Sequence, residues 1–113
     1  MPLPTNWYSL AAEYADVATA ETLTFVVPTD GYLRKVETVL DAAITVADEV
    51  ITVAVDGTNL APTITIANSG SAAGTYDVAE FFAPVRKGSR VTVASAGDST
   101  GAAGCAVTAT FSG

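Results

Sequence analysis

The side chains in this sequence that could perform acid–base chemistry are carboxylates, because the chain contains no histidine. Without histidine, Ser-His-Asp and Cys-His nucleophiles cannot form, and zinc loses its usual ligands. The one adjacent acid pair is Asp48-Glu49, and neighbouring residues in a strand point to opposite faces. A glycosidase needs two carboxyl groups that flank one bond, so this pair is poorly placed for that reaction. We therefore predict that the chain is not an enzyme.

Cofactor and metal sites have no supporting motif either. Neither GxxxxGK[ST] nor GxGxxG occurs, which leaves nucleotide binding without support. Asp30, Asp56 and Asp98 lie in glycine-containing turns, but none begins the dense oxygen-ligand spacing of a calcium loop. Because aspartate is favoured in turns for conformational reasons, these residues need no metal. We predict no cofactor and no metal.

The charge of the chain restricts its partners. Twelve acidic and five basic residues give a net charge of −7. Phosphate binding needs clustered cations, and an anionic membrane repels an acidic surface, so we predict neither nucleic acid nor membrane as a partner. The bases fall in two groups, Arg34-Lys35 and Arg86-Lys87 with Arg90. They fit solubility and strand-edge protection or, alternatively, pairing with an acidic partner.

The single cysteine and the N-terminus bear on the compartment. Cys105 cannot form an internal disulfide, and it alternates with Val107 and Phe111, which predicts a buried and unreactive thiol. A loop-rich β chain without disulfides fits synthesis in a reducing cytoplasm. The first residues show neither the basic nor the apolar region of a signal peptide, so we expect no Sec export.

The elements that must position these side chains are short strands. Apolar and polar residues alternate with a period of two, in segments rich in Val, Ile, Thr and Phe and separated by turn residues. The pattern predicts eight strands: Trp7–Ala12, Thr22–Val27, Tyr32–Leu40, Val50–Val55, Thr63–Ile66, Thr75–Phe82, Arg90–Ser95 and Cys105–Phe111.

This strand pattern predicts an all-β, single-domain β-sandwich with a thin core, since many of the apolar residues are Ala and Val. An eight-stranded jelly roll is the favoured topology, and an immunoglobulin-like sandwich is the alternative. We assign residues 21–113 to the sandwich and residues 1–20 to an N-terminal arm or first strand, with a short helix over Leu10–Ala20 as the competing structure.

Three local features qualify that architecture. Apolar residues occupy both registers of Tyr32–Leu40, which indicates either a bulge or a central strand covered on both faces. Asp56-Gly57-Thr58-Asn59 predicts a hairpin with a loop slightly longer than two residues. Two glycine-rich loops of small residues, 67–74 and 96–104, are either flexible or closely approached by another protein.

Two successive stretches, Tyr32 to Gly57 and Thr63 to Gly74, together form one characteristic series of strands and turns. A strand ending in Val-Leu-Asp leads to Ala-Ile-Thr-Val-Ala-Asp, a Val-Ile-Thr-Val strand, an Asp-Gly hairpin, a Thr-Ile-Thr-Ile strand and a Ser-Gly-Ser-Ala-Ala-Gly loop. With the later Lys87-Gly-Ser-Arg-Val-Thr-Val93, this order resembles the capsid decoration, or cement, proteins of tailed phages. The Lys-Gly-x-x-Val phrase is also similar to jelly rolls of the C1q and tumour-necrosis-factor type.

The decoration-protein resemblance implies a jelly-roll-like domain that binds the exterior of a mature capsid and cements adjacent major capsid protein subunits. It also implies a homotrimer made in the bacterial host cytoplasm and located on the outer surface of the virion. The candidate contact residues are aromatic residues near the N-terminus, the five bases and the polar residues of the first small-residue loop: Trp7, Tyr8, Tyr14, Arg34, Lys35, Asn68, Ser69, Ser71, Arg86, Lys87 and Arg90. For the three aromatic residues, packing in the core or at a sheet edge is the favoured interpretation, and anchoring of an N-terminal arm on a neighbour is the alternative.

Other functions remain open at this point. One alternative is a head-fibre or tail-associated adhesin that binds carbohydrate, for which Trp7, Tyr8, Tyr14, Tyr32 and Tyr76 are candidate aromatics, although they are scattered along the chain. A C1q-like or TNF-like recognition trimer is a second alternative, and the missing signal peptide counts against it. A homo-oligomeric shell component is a third.

Overall fold

The computed structural model describes residues 7–101 and 103–113, and in these residues it contains nine strands and no helix. The strands are β1 (Tyr8–Tyr14), β2 (Thr22–Val26), β3 (Gly31–Leu40), β4 (Glu49–Val55), β5 (Thr58–Asn59), β6 (Ile64–Ile66), β7 (Tyr76–Val85), β8 (Arg90–Ser95) and β9 (Cys105–Ser112). Each of the eight predicted strands is present. Within the described residues, no helix is available that could cross a membrane.

The strands form two antiparallel sheets packed as a sandwich. One sheet has the order β1-β9-β3-β7, and the other has the order β2-β8-β4-β5, with β6 also paired to β4. When the two-residue strand β5 is set aside, two four-stranded sheets remain, and the first and last strands of the chain are neighbours. This is the strand order of a jelly roll, so the predicted all-β sandwich is confirmed.

The N-terminal segment of the described chain belongs to the sandwich. β1 pairs with β9 over its whole length, from Tyr8 opposite Phe111 to Tyr14 opposite Cys105. The first-strand alternative therefore holds for residues 8–14, and the competing helix does not form there. Residues 1–6, which we assigned to the same arm, lie outside the described residues.

The core between the sheets is thin, as the composition predicts. Val36 of β3 lies opposite Ala109 of β9, and Ala79 of β7 lies on the other side of Val36. The large buried side chains are few, and Tyr14, Phe111 and Leu33 lead them in volume. Since most inward positions hold Val, Ile or Ala, the two sheets can approach closely.

Tyr14 ties the two sheets together from inside this core. Its side chain is only 1% exposed, and its hydroxyl donates a hydrogen bond to the carbonyl oxygen of Val93 in β8, across the sandwich. Burial raises the pKa of Tyr14 well above the ordinary value for a tyrosine. The inclusion of Tyr14 among the candidate contact residues is therefore wrong, because the last residue of β1 points into the core.

The long strand β3 contains a bulge, which was one of the two predicted explanations for its mixed pattern. The pairing of β3 with both β7 and β9 shifts register between Leu33 and Lys35. Leu33 is buried before the shift, and Val36 and Leu40 are buried after it. Arg34 is the extra residue relative to β9, whereas on the other side Phe81 and Phe82 of β7 lie opposite Arg34 alone. The shift lets apolar residues from both registers of β3 face the core.

The hairpin after β4 is tighter than predicted. Val55 pairs directly with Thr58, which leaves a two-residue loop of Asp56 and Gly57. Both loop residues have positive φ angles, 49° and 87°, as a type I′ turn requires. Thr58 and Asn59 continue pairing as β5, so the prediction that they belong to the loop is wrong.

The buried hydroxyl of Tyr14 yields a stability prediction. Tyr14→Phe keeps the ring but leaves the Val93 carbonyl without this donor inside the core, so we expect a loss of about 1–2 kcal/mol in the free energy of unfolding. Urea denaturation followed by tryptophan fluorescence measures the change.

Tyr76→Phe is the matched control, since the hydroxyl of Tyr76 also makes one hydrogen bond but its side chain is 52% exposed. We expect a change within about 0.5 kcal/mol for this variant. Equal losses for the two variants would contradict the role of Tyr14 as a link between the sheets.

Candidate functional site

The outer face of the β1-β9-β3-β7 sheet carries the exposed aromatic residues of the fold. Tyr76 and Phe82 point outward from β7, Tyr32 points outward from β3, and Trp7 directly precedes β1. Trp7 is 48% exposed, Tyr76 52% and Phe82 67%. Because β7 alternates, Asp77, Ala79 and Phe81 face the other way, so these exposed side chains share one surface.

The bulge in β3 brings two of these aromatic residues, Trp7 and Phe82, into contact with one cation. Consecutive residues of a regular strand point to opposite faces, but the extra residue brings Arg34 to the same outer surface as Lys35. The guanidinium carbon of Arg34 lies 5.1 Å from the ring centroid of Trp7 and 5.1 Å from that of Phe82. Both separations are within the range of cation–π attraction.

Tyr32 completes this cluster. Its ring stacks on Phe82 with centroids 4.4 Å apart and an interplanar angle of 8°. We call Trp7, Tyr32, Arg34 and Phe82 the aromatic cluster. Small outward side chains on β9, among them Thr110, leave room for Trp7 to reach across β9 to Arg34 on β3.

A cleft of about 290 Å³ opens beside the aromatic cluster and is lined by Trp7, Arg34, Lys35, Glu80 and Phe81. A second depression includes Tyr32, Pro84 and Arg86. Members of the aromatic cluster therefore line both depressions.

A row of polar groups continues along β3 and β7 from the aromatic cluster. Lys35 pairs with Glu37 at 3.5 Å, and the hydroxyl of Tyr76 donates a 2.6 Å hydrogen bond to Glu37. This hydrogen bond to a carboxylate is the main reason that the pKa of Tyr76 is raised. Glu80 lies opposite Lys35 in the register, so acidic and basic groups alternate across the middle of the face.

The polar row separates two aromatic positions. Tyr76 and Phe82 are six residues apart on β7, or roughly 20 Å at the rise of a strand. Between them lie ionised and hydrogen-bonding groups, and at both ends lie exposed rings. Such a surface can stack on flat apolar faces and hydrogen-bond to hydroxyl groups.

The three N-terminal candidate contact residues do not all lie on the surface. Trp7 lies in the aromatic cluster, but Tyr8 turns inward and stacks on Phe111 with ring centroids 5.0 Å apart. Burial of Tyr8 raises its pKa. Tyr8 and the core residue Tyr14 therefore serve packing, and only Trp7 remains on the surface among the three.

The two groups of bases also differ. Arg34 and Lys35 lie on the outer sheet face described above, whereas Arg86 and Lys87 belong to the exposed turn between β7 and β8, and Arg90 begins β8. The backbone N–H of Lys87 donates to Asp30, and that of Arg90 donates to Asp56. Arg86 borders the depression that contains Tyr32, so the structure brings one member of the second group near the aromatic cluster.

Asn68, Ser69 and Ser71 lie in the loop between β6 and β7, and this loop is attached to the rest of the chain. The hydroxyl of Ser71 accepts a hydrogen bond from the N–H of Ile44 and donates to the carbonyl of Ile44, both at 3.0 Å. The backbone N–H of Asn68 donates to Asp48 at 2.9 Å. The loop is thus anchored to its own chain, its approach to another protein stays a prediction, and Ser69 is its exposed candidate.

Sequence reasoning missed the role of Glu49, which is fully buried. Its carboxylate accepts hydrogen bonds from the backbone N–H groups of Gly97, Asp98 and Ser99 and from the hydroxyl of Ser99, at 2.6–3.3 Å. Gly97 has a φ of 77° there, and a Cβ on it would come within 2.8 Å of the Ala20 nitrogen. Glu49 therefore fixes part of the second small-residue loop.

Phe82 and Glu37 were also missed as parts of this surface. One signal was available for Phe82, because Phe81 and Phe82 are adjacent in a strand and must face opposite sides. Glu37 becomes recognisable only when the pairing of β3 with β7 is known. Of the scattered aromatic candidates for sugar binding, Tyr32 joins Trp7, and Tyr76 lies at the opposite end of the polar row.

Two further ionisable side chains, Cys105 and Asp77, lie toward the interior of the sandwich. Cys105 is buried, as predicted, and burial raises the pKa of its thiol to about 11. Asp77 faces inward on β7, and its Oδ2 is buried without a hydrogen-bond partner among the described residues. No group of three or more metal-ligating side chains occurs within residues 7–101 and 103–113.

Comparison with known proteins shows the fold but no family. No protein-family model matches the sequence. The search of curated proteins also found no match.

Among the solved structures that resemble this chain, two match nearly its whole length. A family 35 carbohydrate binding module from Clostridium thermocellum has a TM-score of 0.52 and 14% identity, covering 97% of this chain and 95% of the module. The catalytic unit of a thermostable GH87 alpha-1,3-glucanase from Streptomyces thermodiastaticus strain HF3-3 has a TM-score of 0.52 and 15% identity, covering 95% of this chain. This chain spans only 26% of that glucanase unit. At these identities the likeness establishes a shared β-sandwich architecture.

Asp77 yields a prediction about pH. Burial raises the pKa of Asp77 above its usual value, so at a pH between its pKa values in the unfolded and folded states the folded protein holds a proton that the unfolded chain releases. The contribution of Asp77 to the free energy of unfolding is fully present below the pKa of Asp77 in the unfolded chain. It is lost as the pH rises through the pKa of Asp77 in the folded protein. We expect Asp77→Asn to gain stability relative to the unmodified protein as the pH is raised from about 4 to 7, measured by urea denaturation at each pH.

Asp56→Asn is the control of opposite sign. The backbone hydrogen bond from Arg90 is the main cause that lowers the pKa of Asp56, so its contribution is lost as the pH falls. Asn also tolerates the positive φ of this turn position. A stability difference for Asp77→Asn that does not vary with pH would refute the assigned cost of burying this carboxylate.

Proposed function

We propose that this chain is a non-catalytic carbohydrate-binding β domain whose binding surface is the outer face of the β1-β9-β3-β7 sheet. The observation that carries the proposal is the aromatic cluster of Trp7, Tyr32, Arg34 and Phe82 beside the polar row of Lys35, Glu37 and Tyr76. In a phage, such a domain would serve as a head-fibre or tail-associated adhesin.

The chemistry of the surface suits a saccharide. A sugar ring presents apolar C–H groups on its faces and hydroxyl groups around its rim. Exposed aromatic rings supply flat apolar area at low conformational cost, and ionised side chains make the stronger hydrogen bonds to hydroxyls. Both kinds of group lie on one sheet face here, so a chain of several sugars could contact both at once.

The structural neighbours add support at the level of architecture. One is described as a carbohydrate binding module and the other as part of an alpha-1,3-glucanase. Because fold alone does not imply function, the proposal depends on the surface residues of this chain, and the neighbours guide the choice of saccharides to test.

The test is binding of the purified chain to insoluble alpha-1,3-glucan and to an array of soluble bacterial polysaccharides, with affinities from isothermal titration calorimetry. Trp7→Ala and Tyr76→Ala remove exposed rings from the two ends of the surface. We expect each to weaken binding about 10-fold, the effect of losing one well-packed aromatic contact.

Val46→Ala is the control, because Val46 is 79% exposed and lies outside the strands of this sheet. It should leave the affinity unchanged. Failure to bind any saccharide, or equal losses for Val46→Ala and Trp7→Ala, would count against the proposal.

A second candidate function is that of a virion protein that binds the exterior of a mature phage capsid and cements major capsid protein subunits. The observation that favours it is an aliphatic patch on the same face: Val39 and Val78 are 36% and 43% exposed beside Tyr76. Val78 lies opposite Glu37 on β3, and Val39 lies opposite Tyr76. Exposed aliphatic side chains are better suited to a protein surface than to hydroxyl groups.

Capsid cementing is tested by co-sedimentation with expanded phage heads, and the predicted homotrimer by light scattering of the purified chain. Val78→Asp places a charge in the aliphatic patch, and we expect at least a 10-fold loss of capsid affinity. Val26→Asp is the matched control, since Val26 is 62% exposed on the other sheet. A monomer that stays in the supernatant with expanded heads would eliminate this candidate.

A further inference from the structure

We infer that Arg34 is a binding group for carboxylate, so that the saccharide recognised by the outer sheet face is an acidic one. This inference rests on the proposed carbohydrate-binding function and specifies its ligand. It follows from the contacts that hold the guanidinium group of Arg34 and from the absence of an acceptor for its N–H groups among the described residues.

The guanidinium of Arg34 is held in place by aromatic rings. Its central carbon lies 5.1 Å from the ring centroids of both Trp7 and Phe82, and Phe82 is in turn stacked on Tyr32. Contact with two aromatic rings restricts the positions of the guanidinium group, which carries five N–H donors. These N–H groups match the two oxygens of a carboxylate, and less conformational entropy is lost on binding because the group is already ordered.

These donors have no partner within the part of the chain that the structure describes. The chain contains 12 acidic residues, yet no described carboxylate forms an ion pair with Arg34 and no described acceptor forms a hydrogen bond with it. By contrast, the neighbouring cation Lys35 pairs with Glu37 at 3.5 Å. A partly buried arginine that remains without a carboxylate in so acidic a chain is available for one from a ligand.

The charges around the cleft leave this role to Arg34 rather than Lys35. The lining contains Arg34 and Lys35 as cations and Glu80 as an acid. Glu80 lies directly opposite Lys35, which also contacts Glu37, so Lys35 is balanced by acids of the same face. Arg34 is the cation of the cleft that faces aromatic rings instead.

The net charge of −7 does not prevent such a contact. Repulsion between exposed charges is largely screened beyond about 8 Å at physiological ionic strength, whereas a direct guanidinium–carboxylate pair is not. The acidic surface would instead discourage nonspecific attachment of polyanions elsewhere on the chain. Binding of an acidic saccharide should then depend strongly on one residue.

The experiment compares polygalacturonate with the same polymer after methyl esterification, which retains the sugar backbone and removes the charge. We expect the unmodified chain to bind the free acid at least about 10-fold more tightly than the ester. Arg34→Gln should abolish that preference. Arg34→Lys should retain only part of it, because an ammonium group keeps the charge but cannot form the bidentate contact.

Arg90→Gln is the matched control, since it removes an exposed arginine from β8 on the other sheet. It should bind both polymers like the unmodified chain. Circular dichroism melting of each variant shows whether it is folded, and Arg34→Lys provides a second reading if Arg34→Gln is destabilised.

The outcomes separate the inference from the function on which it rests. Equal affinity for acid and ester, with both bound, would overturn the inference and leave carbohydrate binding in place. Binding to neither polymer, nor to any saccharide of the preceding tests, would overturn the proposed function itself. Arg34-dependent binding to polyglutamate as tight as to polygalacturonate would show that the site accepts acidic protein, which overturns the saccharide assignment.

Discussion

The register shift in β3, where Arg34 is an extra residue relative to β9, determines how this sandwich presents its two faces. Side chains of a strand alternate, so without an insertion Leu33 and Val36 could not both face the core. The register shift at Arg34 allows Leu33 to be buried before it, and Val36 and Leu40 after it. The same shift places Arg34 and Lys35 together on the outer face. Core packing and the exposed cationic surface thus have a common origin.

Local patterning was sufficient to predict the strands and the class of fold. Period-two alternation located all eight main strands, and the doubled register of Tyr32–Leu40 indicated the bulge. The two-residue strand β5 was missed because Thr58 and Asn59 read as turn residues, while their pairing with β4 depends on the tightness of the Asp56-Gly57 turn. The alternation that identifies a strand is thus encoded locally, whereas the residues at which a hairpin loop ends depend on pairing between strands.

The candidate site was only partly predictable, because its parts meet through register rather than sequence. Trp7, Tyr32 and Phe82 come from three distant segments, and they become neighbours only when β9 is inserted between β1 and β3, and β7 pairs with β3. Tyr14 was included among the candidate contact residues, although the alternation of β1 directs it inward. The buried carboxylate of Glu49 was not anticipated, since its partners lie 48 to 50 residues later in the chain.

The placement of β1 at the edge of its sheet has a consequence for motion. β1 pairs with β9 alone, so it can detach without breaking any other ladder, and local openings of this kind cost less than global unfolding. Yet this strand carries Tyr14 into the core, and Trp7, at its start, lies on the surface. A molecule that stacks on Trp7 holds β1 closed by mass action. Occupancy of the outer face and resistance of the N-terminal strand to amide exchange and proteolysis are therefore coupled.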